Sequence, residues 1–448
     1  MAKKTIIFEC QHCGYQSSKW QGKCTNCGAW ESFYELKQSQ IQSLKEIKSL
    51  SKNSNNAIPI TEVGFENIER FSSTQDEFDI VLGGGIVQGG LYLIGGSPGV
   101  GKSTLLLKVS GGLAKQGQKI LYVSGEESAS QIKMRATRLN CVDKNLFLLN
   151  EIELNTIKSH LIQSDFKVCI IDSIQTIYSS SNPSTPGSVS QVREVTFELM
   201  RLAKEYAIAI FIIGHITKEG SIAGPRVLEH MVDCVLYFEG DPSKELRILR
   251  GFKNRFGTTS DVGIFEMREE GLISAKNASK LFFSQKTKAA GSAITVILEG
   301  SRALVLEIQA LVSESNLANP KRSATGFDSN RLNMLLALLE KKLDIPLRGY
   351  DVFINVTGGI KIIETSADLA VIAAILSSFR NRILNNDVAF IGEVSLIGDI
   401  REVSNIDTRL KEMENYGFKN AILAKKSKLK TSIKCFEVSE VTRLLEWM

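Results

Sequence analysis

The run Gly96-Ser97-Pro98-Gly99-Val100-Gly101-Lys102-Ser103 constrains this chain more than any other stretch. Glycines at 96, 99 and 101 let the backbone curl so that successive N–H groups converge on phosphate oxygens. Lys102 supplies a cation for the β- and γ-phosphates, the Ser103 hydroxyl a ligand for Mg²⁺, and Thr104 continues into the following helix. Such a loop works only between a strand and a helix N-terminus. Both flanks fit: residues 91–94 are apolar and β-prone, and 104–116 have helical composition. The expected ligand is ATP with Mg²⁺, and the expected frame is an α/β sheet.

The surrounding chain alternates in the same sense. Strands are predicted over 91–94, 119–123, 168–171, 207–213 and 234–238, with helices over 128–138 and 189–206. That rhythm predicts a mostly parallel sheet covered on both faces. A length of 448 residues gives room for two or three domains. The boundaries read as a cysteine module over 1–34, a polar linker over 35–60, the nucleotide domain over 61–284 and an α+β domain over 285–448. In the last, strands are expected at 293–298, 303–310, 351–356 and 387–391, and helices at 330–342 and 367–376.

Hydrophobic content of 43% and charged content of 23% are those of a soluble globular protein. No stretch approaches the ~18 apolar residues of a membrane span. The first residues lack the apolar region of a signal peptide, so the cytoplasm is the expected location, without a membrane partner. A net charge of +5 permits nucleic acid as a partner without requiring it.

Cys10, Cys13, Cys24 and Cys27 form two C-x2-C knuckles separated by ten residues. Two such knuckles can close a tetrahedral thiolate site. A segment this short cannot bury a sufficient core, whereas a structural metal contributes about 10–16 kcal/mol. Zn²⁺ is the expected ion, with iron left open. Trp20 and Trp30 are expected to cover the site.

Three further strand ends carry polar groups. Asp172 closes an apolar run at the position of an Mg²⁺-associated carboxylate. Glu126 and Glu127 close another, and either could orient an attacking water. His215 closes a third, within reach of a phosphate.

Together with Lys253-Asn254-Arg255-Phe256-Gly257, these features resemble the bacterial RadA (Sms) family of DNA-repair proteins, with a RecA-type ATPase core. The resemblance spans essentially the whole chain, with the cysteine module, the glycine loop and K-N-R-F-G in family order. It implies that Glu126 is the water-orienting base and His215 a phosphate-responsive switch. It further implies that Lys253 and Arg255 reach the nucleotide of a neighbouring subunit, where a cation supplied in trans accelerates hydrolysis by ~10³–10⁵. It assigns the loops 178–188 and 217–226 to the axis of the assembly, where Lys218 and Arg226 would neutralise phosphates of single-stranded DNA.

The implied fold is therefore α/β: a RecA-like P-loop ATPase core, preceded by a small zinc module and followed by an α+β Lon-protease-like domain. Ser366 falls at the position of the Lon-type nucleophile. The matching lysine position reads as Asp407, with Arg409 and Lys411 out of register, so the domain is expected to be a scaffold without peptidase activity. The implied activity is a DNA-dependent ATPase and translocase or helicase, built as a homo-hexameric ring. It would act on single-stranded DNA and branched recombination intermediates, beside a RecA-type recombinase. The competing readings are an ATP-dependent serine protease and a nucleotide-gated assembly module without motor activity.

Overall fold

The structure is a computed structural model that describes residues 8–10, 15–17, 19–35, 61, 69–215, 227–240, 245–275, 289–316, 319–385, 387–425 and 430–447. Two compact units divide at Ser274 and Ala275.

The first unit opens with a small antiparallel sheet, Phe8–Cys10 flanked by Gln16–Ser17 and Phe33–Glu35. A nine-stranded sheet follows. From edge to edge its strands are Gly271–Ser274, Val262–Arg268, Leu246–Asn254, Cys234–Glu239, Leu91–Gly96, Ala209–His215, Val168–Asp172, Ile120–Ser124 and Leu146–Leu149. From Cys234–Glu239 to Leu146–Leu149 all neighbours are parallel. The three strands at the other edge are antiparallel.

Side chains alternate across a strand, and each central strand feeds two cores. Tyr92 and Ile94 join Ile170, Phe211 and Ile213 on one face, beneath Leu106, Val109 and Leu113 of helix Lys102–Lys115. Leu91 and Leu93 join Ile171, Ile210 and Ile212 on the other, beneath Val192, Val195 and Leu199 of helix Val189–Tyr206. Strands buried on both faces read as continuous apolar runs, which is why they were visible in the sequence. Helix Ala129–Arg138 begins on a capping box between Ser128 and Gln131. The strand predicted from residue 207 starts at Ala209 instead. Ala207, at φ 52°, ends the preceding helix in the left-handed conformation.

The second unit has a seven-stranded mixed sheet. Its order is Arg322–Thr325, Tyr350–Val356, Arg302–Glu314, Ser292–Glu299, Val388–Ile391, Asn420–Leu423 and Lys434–Glu437. Helix Asp368–Phe379 is buried from Asp368 to Ser377. Helices Ser329–Leu343 and Ile406–Asn415 bury a single face each. No described helix is long and apolar enough to cross a membrane.

Candidate nucleotide site and metal centre

Strand Leu91–Gly96 delivers the glycine loop to the carboxyl edge of the sheet, and helix Lys102–Lys115 starts directly behind it. Gly99 and Gly101 hold φ of 76° and 113°, a region costly for any other residue. A Cβ on Gly99 would meet nothing within 4 Å, so that side of the loop is open to a ligand. A Cβ on Gly96 would lie 2.6 Å from the Phe238 carbonyl oxygen, so the strand end must be glycine. Lys102 Nζ donates to the carbonyls of Gly96 at 2.7 Å and Ser97 at 3.0 Å. Burial lowers its pKa, against the opposing charges of Asp172 and Glu126.

Asp172 ends the strand two places from the loop. Tyr122, on the adjoining strand, donates to its Oδ2 at 2.6 Å, and Ser103 also bonds the carboxylate. Burial raises the Asp172 pKa, although both of these bonds oppose the rise. The next residue, Ser173, donates to Glu126. Glu127 is paired with Arg135. The two glutamates thereby differ: Glu126 faces Lys102 and Asp172, whereas Glu127, also felt by Asp172, is tied to Arg135 of helix Ala129–Arg138. The loop, the ammonium and the carboxylates fit a triphosphate with Mg²⁺ held through Ser103 and Asp172. His215 pairs in backbone register with Gly96. Its side chain, and Lys218 and Arg226, lie outside the described residues.

K-N-R-F-G occupies the opposite end of the sheet. Asn254 pairs with Cys234, and Cys234 pairs with Tyr92 near the start of the loop strand. Lys253 Nζ donates to the carbonyls of Glu229 at 2.7 Å, Val232 at 2.8 Å and His230 at 3.3 Å. Arg255 is 60% exposed at its side chain and 3.5 Å from Asp233 Oδ1. Phe256 packs 5.8 Å from the Tyr92 ring. Gly257 lies so close to Gly83 that a Cβ would be 3.0 Å from its Cα.

Sulfurs of Cys10, Cys24 and Cys27 all lie within 4.8 Å of one another. Cys10 and Cys27 are 3.6 Å apart, near the about 3.8 Å of thiolates around a tetrahedral zinc. Cys13 lies outside the described residues. The tryptophans expected to cover this centre do not do so. Trp20 is 56% and Trp30 71% exposed, and the apolar cover comes from Phe8 and Phe33.

Comparison with known proteins agrees with this architecture. Residues 8–35 match a rubredoxin metal binding domain, and residues 61–221 match the AAA domain family. The DNA repair protein RadA of Helicobacter pylori strain J99 is 67% identical over 448 residues, covering 100% of both chains. The RadA of Campylobacter jejuni is 60% identical, again over 100% of both. This chain belongs to the RadA family. A more distant RadA, from Bacillus subtilis, is 48% identical over 94% of this chain and 93% of its own. A solved structure of the RadB recombinase is 21% identical and covers 45% of this chain and 98% of its own, with a TM-score of 0.37. RadA membership makes the core a RecA-like P-loop ATPase and the cysteine module a metal-binding zinc ribbon.

The second unit of this RadA-family chain corrects one expectation. Arg409, set aside as out of register, is the cation that meets Ser366: its Nη1 lies 3.0 Å from Ser366 Oγ. The guanidinium also grips Glu364 at 2.7 and 2.8 Å and donates to the carbonyls of Val296 and Ser404. Ser366 in turn donates to Glu364. Burial would raise the Glu364 pKa, yet Arg409 and Ser366 outweigh it and hold the carboxyl below its ordinary range. A guanidinium cannot take a proton from serine, because it stays charged at any working pH.

Proposed function

We propose that this RadA-family ATPase is a cytoplasmic motor that moves along single-stranded DNA and processes branched recombination intermediates. Its subunits close head-to-tail into a hexameric ring, working beside a RecA-type recombinase. The observation that carries this reading is the polarity of the sheet. The phosphate loop follows Gly96 at one end, whereas Arg255 hydrogen-bonds through its backbone N–H to Asp233, level with Leu91 at the other. A strand of that length separates them by about 16 Å. That separation supports a role for Arg255 at a phosphate on another copy of the chain, through heterologous contacts of the kind that close into rings.

In each joint, Lys102 would leave its two carbonyls for the β- and γ-phosphates. Glu126, steadied by Ser173, would orient the water, and Arg255 of the adjacent copy would meet the charge that develops on the γ-phosphoryl group. Mg²⁺, when bound through Ser103 and Asp172, would neutralise phosphate charge and orient the leaving group. Zn²⁺ would be held by Cys10, Cys24 and Cys27 with Cys13 as the expected fourth thiolate, and four thiolates would make its role structural.

The protease reading loses its base to Arg409. The test is ATP turnover with and without single-stranded DNA, alongside native mass and strand displacement. DNA-stimulated turnover, hexameric mass and directional displacement are expected. Turnover indifferent to DNA, with no displacement, would leave the nucleotide-gated assembly module as the better account.

A further inference from the structure

We infer that Asp233 is the positioning residue of the trans-acting arginine: it anchors Arg255 to the first residue of the strand that ends in the subunit's own phosphate loop. The inference rests on the trans reading of Arg255 given above and deepens it.

The carboxylate of Asp233 is 8% exposed, and the Arg255 side chain 60% exposed. A buried anchor thus holds an outward-reaching cation. Oδ1 faces the Arg255 guanidinium at 3.5 Å. Oδ2 accepts the Leu91 N–H at 3.1 Å and the Lys204 ammonium at 2.8 Å. The backbone ties the same residues together: Asp233 N–H donates to the Leu91 carbonyl at 2.9 Å, and Arg255 N–H to the Asp233 carbonyl at 3.0 Å. Lys204 also stands 5.9 Å above the Phe256 ring, so the K-N-R-F-G turn is braced on both sides.

An arginine just past a strand end has many rotamers, and holding it in one reduces the ordering cost when a phosphate arrives. Asp233 supplies that restraint through charge. Leu91 needs only an acceptor, and an amide oxygen provides one. Asp233→Asn therefore keeps the Leu91 bond and removes the pull on Arg255 together with the charge of the Lys204 pair, and Lys204→Met, which should leave kcat near normal, measures the latter alone.

The experiment measures steady-state ATP hydrolysis by full-length Asp233→Asn, Arg255→Ala and the double variant, with thermal unfolding of each. Arg255→Ala should lower kcat with little change in KM. Asp233→Asn should lower kcat by about 10–10²-fold, the cost of an ångström-scale misplacement, again at near-constant KM. The double variant should be no slower than Arg255→Ala alone, if the effect of Asp233 on turnover runs through that arginine. Asp233→Glu, which restores the charge, should recover part of the loss.

If Arg255→Ala turns over normally, the trans reading itself falls, and this inference with it. If Arg255→Ala is impaired while Asp233→Asn is normal, only the positioning role falls. A double variant slower by the product of the two single effects, or an Asp233→Asn loss explained by a lowered melting temperature, overturns it as well.

Discussion

Two buried cations, one in each unit, have opposite fates. Lys102 is 5% exposed and its ammonium donates to the carbonyls of Gly96 and Ser97, both neutral. Arg409 is fully buried and grips the Glu364 carboxylate with two nitrogens, with Ser366 enclosed in the same cluster. Neutral acceptors leave the ammonium with no carboxylate bonded to it, Asp172 and Glu126 acting on it only through space, so an incoming phosphate gains it at the cost of two ordinary hydrogen bonds. A bidentate carboxylate cancels the charge, and no ligand of ordinary affinity displaces it. Two units of one chain thus hold an exchangeable cation and a closed one. The second explains how a serine at a nucleophile position can be structural.

The largest expected effect comes from opening the closed pair. Arg409→Met strands Glu364 beside an apolar replacement and should destabilise the second unit by about 3–5 kcal/mol in a denaturant titration. Adding Glu364→Leu should recover much of that loss, because removing both partners leaves no orphaned charge. The pair also has a pH signature. Glu364 titrates lower in the folded chain than in the unfolded one. Its stabilisation is therefore full above the unfolded value of about 4.3 and is lost as the pH falls through the folded value. The Arg409→Met/Glu364→Leu variant should lack that acid-side loss.

Lys102→Ala should break in the other direction. Turnover should fall by about 10²–10³-fold while the melting temperature barely moves, because Lys102 hydrogen-bonds two carbonyls and no carboxylate, and Asp172 keeps its bonds to Tyr122 and Ser103. A large loss of stability would mean that Lys102 is as structural as Arg409. The smallest effect is expected from Tyr122→Phe. Asp172 loses one of the bonds that orient it, and kcat should fall by about tenfold, equivalent to about 1.4 kcal/mol. The Mg²⁺ concentration for half-maximal turnover should rise with it.

The sequence was clearest where local pattern and tertiary role coincide. The glycine loop, the doubly buried strands and helix Val189–Tyr206 each declare themselves within a short window. The antiparallel edge from Leu246 to Ser274 did not, because its first strand is half-buried and mixes Arg247, Arg250, Gly251 and Lys253 with its apolar residues, so it gives no continuous apolar run. That edge decides where Arg255 lies, so the motif was legible but its distance from the loop was not. The residue pattern alone left Glu126 and Glu127 equivalent and the family resemblance singled out Glu126; their different partners, Ser173 and Arg135, could not be read from the sequence. Arg409 did leave a trace. Ile406, Leu410 and Met413 mark the apolar stripe of its helix, and Arg409 falls on that stripe three residues after Ile406. A charge on an apolar stripe is a buried charge in need of a partner. The tryptophans misled for the opposite reason, since large aromatics near a metal need not bury when Phe33 already fills the small core.

The opposed ends of the nine-stranded sheet carry a consequence for enzymology. If Arg255 serves a neighbouring copy as proposed, the unit of catalysis is a joint. An open chain of n copies holds n − 1 joints and a single copy holds none, whereas a closed ring wastes no end. Specific activity should then rise with protein concentration until ring closure and level off there, and dilution alone should act as an inhibitor.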